Sequence, residues 1–161
     1  MRILRVAGLG VCCVAVAASV VQSQSPRGGP LPQFRGTYAI TGEPGGSVQV
    51  TDALGTSFTE WAVRFDDPRH EVRLMVGERR PDGTFPVWRF EQDPAPHVEH
   101  QGTGRLSPEG FVADFGSTDG EPGKFLRERW TLTRDGMQFD LEASGNGVGP
   151  RRVGGFVAIR Q

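Results

Sequence analysis

The sequence predicts an all-β domain, a single antiparallel up-and-down β-barrel of about eight to ten strands, behind an N-terminal signal peptide. Three observations carry this expectation. From Phe34 onward, short segments alternate apolar and polar residues with the period of two that a half-buried strand requires. The 23 glycines and 12 prolines fall largely between these segments, where they act as turn punctuation. Past the signal, no stretch of about a dozen residues combines helical periodicity with freedom from Gly and Pro. Many short strands joined in sequence by tight turns favour a meander closed into a barrel, with a two-sheet sandwich as the alternative.

Taken in order, Phe34, Gly36, Tyr38 and Ile40 alternate with Arg35, Thr37, Ala39 and Thr41, and a Gly-Glu-Pro-Gly-Gly turn follows. Val48 and Val50 share a face of the next strand. Trp61, Val63 and Phe65 share a face of residues 58–65, and the Asp66-Asp67-Pro68-Arg69 break ends that strand. Val72, Leu74 and Val76 mark residues 71–76. Pro81-Asp82-Gly83 then turns the chain into residues 85–91, where Phe85, Val87 and Arg89 oppose Trp88 and Phe90. Residues 97–106 read as a strand that Gly102 and Gly104 bend or bulge. Phe111 to Ser117, Phe125 to Thr133 and Met137 to Ser144 follow, the last pair joined by Arg134-Asp135-Gly136. A glycine-rich loop over residues 145–149 precedes the final strand, Val153 to Arg160.

The N-terminus has the three-part layout of an export signal. Arg2 and Arg5 precede an uncharged apolar run, Val6 to Val21, and small and polar residues follow at Val21-Gln22-Ser23. The run is shorter than the roughly 20 residues of a bilayer-spanning helix. Cleavage is expected after Ser23, with Ala17 as the alternative site. Membrane contact is then confined to the signal before cleavage, and the mature protein is expected in the periplasm or outside the cell. Residues 24–33, with Pro26, Pro30 and Pro32, read as a flexible leader to a domain spanning residues 34–161. Both cysteines, Cys12 and Cys13, lie in the signal, so the mature chain has no disulfide and no thiolate chemistry. Loss of residues 1–23 removes two arginines and no acid, which moves the formal charge from −1 to −3. Basic residues are scattered, which argues against nucleic acid as a partner.

Two sets of segments resemble a known group. Gly104-Arg105-Leu106 through Phe111, Pro122-Gly123-Lys124, Arg127 to Leu132, Asp135-Gly136 and Phe156 to Gln161 are similar to the closing strands of the DUF1579 and lipocalin-like group of bacterial calycin-type barrels. Phe34-Arg35-Gly36-Thr37-Tyr38 resembles the opening Gly-x-Trp strand of such barrels, with Tyr38 in place of the tryptophan. The resemblance implies a barrel with room for an interior pocket, and it supplies no reaction to carry over.

Catalytic and metal chemistry find no anchor. His97-Val98-Glu99-His100 puts its two imidazoles three apart, on opposite faces of a strand. Asp66-Asp67-Pro68-Arg69-His70 reads as a solvated turn, and the carboxylates of residues 114–121 lack the order of a calcium loop. No nucleophile elbow or phosphate loop is present. No catalytic residue, metal ligand or cofactor is therefore assigned. Polar residues on apolar faces are more informative. Glu128 shares a face with Leu126, Trp130 and Leu132; His100 shares one with Val98 and Leu106; Arg89 shares one with Phe85 and Val87. A buried charge needs a partner, because unpaired desolvation costs several kcal/mol. The expectation is a non-enzymatic binding barrel for a small apolar or amphipathic molecule. Trp61, Trp88 and Trp130 would line its pocket, and Arg89, His100 and Glu128 would supply polar contacts. The alternative is a structural or protein-interaction barrel filled by its own side chains.

Overall fold

A computed structural model describes residues 28–66, 70–92, 98–116, 125–145 and 148–161. The segment expected to be a signal, with its expected cleavage site, lies outside these residues. Ten strands follow a short 3-10 turn at Pro32–Phe34: β1 (Gly36–Thr41), β2 (Gly46–Ala53), β3 (Phe58–Phe65), β4 (His70–Val76), β5 (Phe85–Gln92), β6 (Val98–Ser107), β7 (Gly110–Gly116), β8 (Phe125–Leu132), β9 (Gly136–Gly145) and β10 (Val148–Arg160). Each strand pairs antiparallel with its sequence neighbours, and β10 closes the barrel on β1 through Tyr38↔Arg160 to Thr41↔Val157. Closure leaves no unpaired strand edge as a template for aggregation. A side-chain clasp reinforces the seam. The Arg160 guanidinium lies 5.4 Å from the centre of the Tyr38 ring and donates to the Arg35 carbonyl at 2.5 Å. The Tyr38 hydroxyl in turn donates to the Phe34 carbonyl at 2.7 Å.

The period-two alternation sorts the side chains. Tyr38, Val48, Val50, Trp61, Leu74, Val76, Phe85, Val87, Phe111, Phe115, Trp130 and Met137 turn inward and are buried. Burying each large apolar side chain contributes about 1.5–3 kcal/mol. The outer face carries ion pairs instead: Glu71 bridges Arg64 and Arg73, and Asp114 bridges Arg105 and Arg127. Such exposed pairs contribute about 0–1 kcal/mol each. An apolar interior and a charged exterior invert the pattern of a membrane-spanning barrel, which is apolar outside and polar within. No helix among the described residues is long and apolar enough to cross a membrane.

One end of the barrel is plugged. Leu31 and Phe34 are fully buried there, the Leu31 amide donates to Thr59 Oγ1 at 3.1 Å, and the Gly29 amide donates to Asp52 Oδ1 at 3.0 Å. This corrects the expected boundary. Of the leader read over residues 24–33, the described part, residues 28–33, is tied into the barrel, so the folded unit begins before Phe34. The apolar side chain of Leu31, surrounded by Pro and Gly, is what the composition of that stretch concealed.

Two strands also differ from expectation. β6 shows no bulge against β5 or β7. Its glycines serve close packing: a Cβ on Gly104 would stand 2.3 Å from the Phe111 ring, and one on Gly102 would stand 2.7 Å from the Phe115 ring. The irregularity lies in β10, where the register shifts between Val148 and Arg151 and again between Arg152 and Gly154. β10 therefore begins at Val148, inside the stretch expected to be loop.

Candidate ligand-binding site

The buried charges meet in the lumen. Arg89 on β5 stands in register with Leu74 and His100, and Glu128 on β8 with Ala113 and Leu141. Two strands separate β5 from β8. Arg89 and Glu128 nevertheless meet across β6 and β7, whose residues there include the small Gly102 and Ala113. Arg89 Nε donates to Glu128 Oε1 at 2.5 Å, and Trp130 Nε1 donates to Glu128 Oε2 at 3.2 Å. Arg89 Nη1 also pairs with the Glu91 carboxylate, in contact but without hydrogen-bond alignment. The side chains of Arg89 and Glu128 are 6% and 1% exposed, whereas Glu91 is 32% exposed. The cluster is thus a desolvated pair with a second carboxylate at its wetter edge.

Above this cluster, in the half of the barrel away from the plug, lies a cavity of about 380 Å³. Val63, Val72, Phe139 and Leu141 form much of its wall, and Arg89, Glu91 and Glu128 its polar floor and side. Aromatic rings continue along the wall: Trp130 to Phe139 at 4.4 Å between centroids, Phe139 to Phe156 at 4.9 Å, and Phe156 to Phe65 at 5.8 Å. His70 completes the row, stacked on Phe65 at 6.0 Å. At the plugged end a cleft of about 350 Å³ lies at the outer mouth, along Gln33, Phe34 and the exposed Leu106 and Leu132, and the interior below it is occupied. There Trp61 fills the centre, against Phe34, Phe111 and Trp130 at 5.5, 5.8 and 6.0 Å.

The six residues singled out from the sequence divide accordingly. Arg89, Glu128 and Trp130 line the cavity. Trp61 is inward but lies beneath it, in the filled half. His100 is inward beside Arg89, half-buried with its ring edge-on to Phe115, and does not line the cavity. Burial first, and the Arg89 charge second, push its pKa below the usual histidine value. Trp88 faces outward, contrary to expectation. It stands opposite Met75 and Gln101 and packs against Phe58 at 5.7 Å, over Gly77. The reason is parity: adjacent residues on a strand point to opposite faces, so Trp88 cannot share the lumen with Arg89.

The sequence reading missed Glu91, Phe65, His70, Phe139 and Phe156. Glu91 was detectable, since it lies two residues beyond Arg89 on the same face. Phe65, Phe139 and Phe156 also have the inward parity. Which end of the barrel would be plugged was not written in the alternation, so the residues of the vacant half could not be told from core. His70 was read as part of a turn but opens β4, and Asp114, read with a loop, sits on the outer face of β7. His97 lies outside the described residues. Among the described residues, no three His, Cys, Asp or Glu side chains gather as metal ligands. No family model, curated protein or solved structure matches this chain.

Proposed function

We propose that this chain is an exported binding barrel whose cavity holds one small apolar or amphipathic molecule. The observation that carries the reading is the contrast between the two halves of one lumen. In one half the buried side chains of Trp61, Phe111 and the plug occupy the interior and leave only a cleft at the outer mouth, while the other keeps about 380 Å³ between apolar walls and a buried ion cluster. That volume lies within the range of small-molecule pockets, and a few convergent polar groups on an apolar wall are what orient a ligand. Ten strands also enclose a wider lumen than the eight that side chains alone can fill. The resemblance to lipocalin-like barrels agrees with this reading as an analogy of fold only. The filled half favours the second reading, a purely structural barrel, and the test must separate the two.

Gly154 supplies the test. It lines the cavity opposite Leu141, and a Cβ added there would lie 3.8 Å from Leu141, an ordinary contact. Gly154→Phe should occupy the cavity without disturbing the packed half. N-phenyl-1-naphthylamine, a neutral dye that brightens in apolar surroundings, should bind the wild type. Its binding should fall at least tenfold in Gly154→Phe at unchanged circular dichroism. No dye binding, or equal binding by both proteins, would favour the structural barrel.

A further inference from the structure

We infer that the cavity selects an organic cation, an amine with an apolar body, over the carboxylate of a fatty-acid-like ligand. The inference rests on the binding reading above and adds the charge of the ligand to it. A barrel that receives a carboxylate needs a cation free to meet it. Among the described residues Arg89 is the one guanidinium on the cavity wall, and its charge is already engaged, by Glu128 through Nε and by Glu91 through Nη1. With one guanidinium against two carboxylates, these three residues carry a formal charge of −1. An incoming carboxylate would have to break the Arg89–Glu128 pair in a desolvated site, and leaving Glu128 buried without its partner is strongly unfavourable.

A cation meets the opposite situation. Glu91 is the least buried member of the cluster, its side chain 32% exposed, and stands on the cavity wall. Facing the lumen are the rings of Trp130, Phe139, Phe156 and Phe65, an aromatic row whose negative faces attract cations, most strongly where water is excluded. An ammonium group placed between Glu91 and these rings would balance the cluster's excess charge. Its apolar remainder would lie along Val63, Val72 and Leu141. Glu91 is then the residue that reads the ligand's charge, while Arg89 holds Glu128 in place.

The experiment uses three probes of one shape, 4-phenylbutylamine, 4-phenylbutanol and 4-phenylbutyrate, titrated calorimetrically into the mature protein at neutral pH. The amine should bind at least tenfold more tightly than the acid, with the alcohol between them. In Glu91→Gln the advantage of amine over acid should shrink at least fivefold while the affinity for the alcohol stays within twofold. That result would not follow if Glu91 only supported the fold. Equal binding of all three, or tighter binding of the acid, would overturn the charge inference and leave the binding reading standing. The same holds if the preference in Glu91→Gln is unchanged. Failure of all three probes to bind, with the same heats in Gly154→Phe, would overturn both.

Discussion

Substitution of Arg89 by methionine removes the cationic half of the lumen cluster and leaves its length. Glu128, 1% exposed, then keeps, among the described residues, only the Trp130 Nε1–H donor for a largely desolvated charge. Breaking one side of a buried pair costs about 3–5 kcal/mol, against a total stability of about 5–15 kcal/mol for a domain. With an m-value of about 2 kcal/mol/M in urea, the midpoint should fall by about 2 M. Glu128→Leu should be costly by the same logic, although Arg89 then retains Glu91, so its loss should be the smaller. The double variant tests the reasoning. With both charges gone, the groups left over are Trp130 Nε1, worth about 1–3 kcal/mol when unpaired, and Glu91, which is partly hydrated. Arg89→Met/Glu128→Leu should therefore lie within about 3 kcal/mol of the wild type, a loss well below the sum of the single losses. Urea unfolding followed by tryptophan fluorescence and circular dichroism reads all four proteins. Single losses below about 1 kcal/mol, as for the exposed Arg64–Glu71 pair, would refute the account of the cluster, and so would a double loss equal to the sum.

Leu54 is 73% exposed and holds a φ of 49°, in the left-handed region that a side chain disfavours. Leu54→Asn should stabilise the barrel by about 1 kcal/mol, visible as a rise of about 4 °C in Tm; a fall would contradict this. Gly104→Val should cost at least about 1–3 kcal/mol, because its side chain meets the Phe111 ring, and a midpoint unchanged in urea would refute the packing role of that glycine. For His100, a pKa held below 6.5 in the folded chain means that the unfolded chain takes up its proton first as the pH falls. The stability linked to this group is complete above about pH 6.5 and is lost as the pH drops through the folded value. His100→Phe should therefore lose less stability than the wild type on acidification below pH 6.5, as read from Tm; parallel Tm curves would count against it.

The architecture was legible because a barrel of hairpins is written locally. Period-two alternation and the Gly, Pro and Asp turns place β3 at Phe58–Phe65 without any tertiary information, and most other strands to within a residue or two. The legible part of the site was its charges, since Arg89 and Glu128 on apolar faces each demanded a partner. What escaped was long-range or depended on parity held through. Trp88 was grouped with Arg89 because an aromatic side chain suggests a pocket, although its position on the strand already sends it outward. Leu31 escaped because nothing local says that a Pro- and Gly-rich leader folds back to plug the barrel. The plug, in turn, decides which half of the lumen is filled and which aromatic residues, Phe65 and Phe156 among them, face a cavity. The glycines of β6 and the shifts in β10 show the same limit. A glycine marks a close approach or a bulge, and only the neighbouring strand decides which.

The most direct test of the central claim is native mass spectrometry of the protein purified from its own host without detergent. The wild type should carry a small-molecule mass that collisional activation releases, and Gly154→Phe, prepared identically and folded, should fly without it. Two bare proteins, or the same adduct on both, would contradict a ligand held in this cavity and leave the barrel as a scaffold filled by its own side chains.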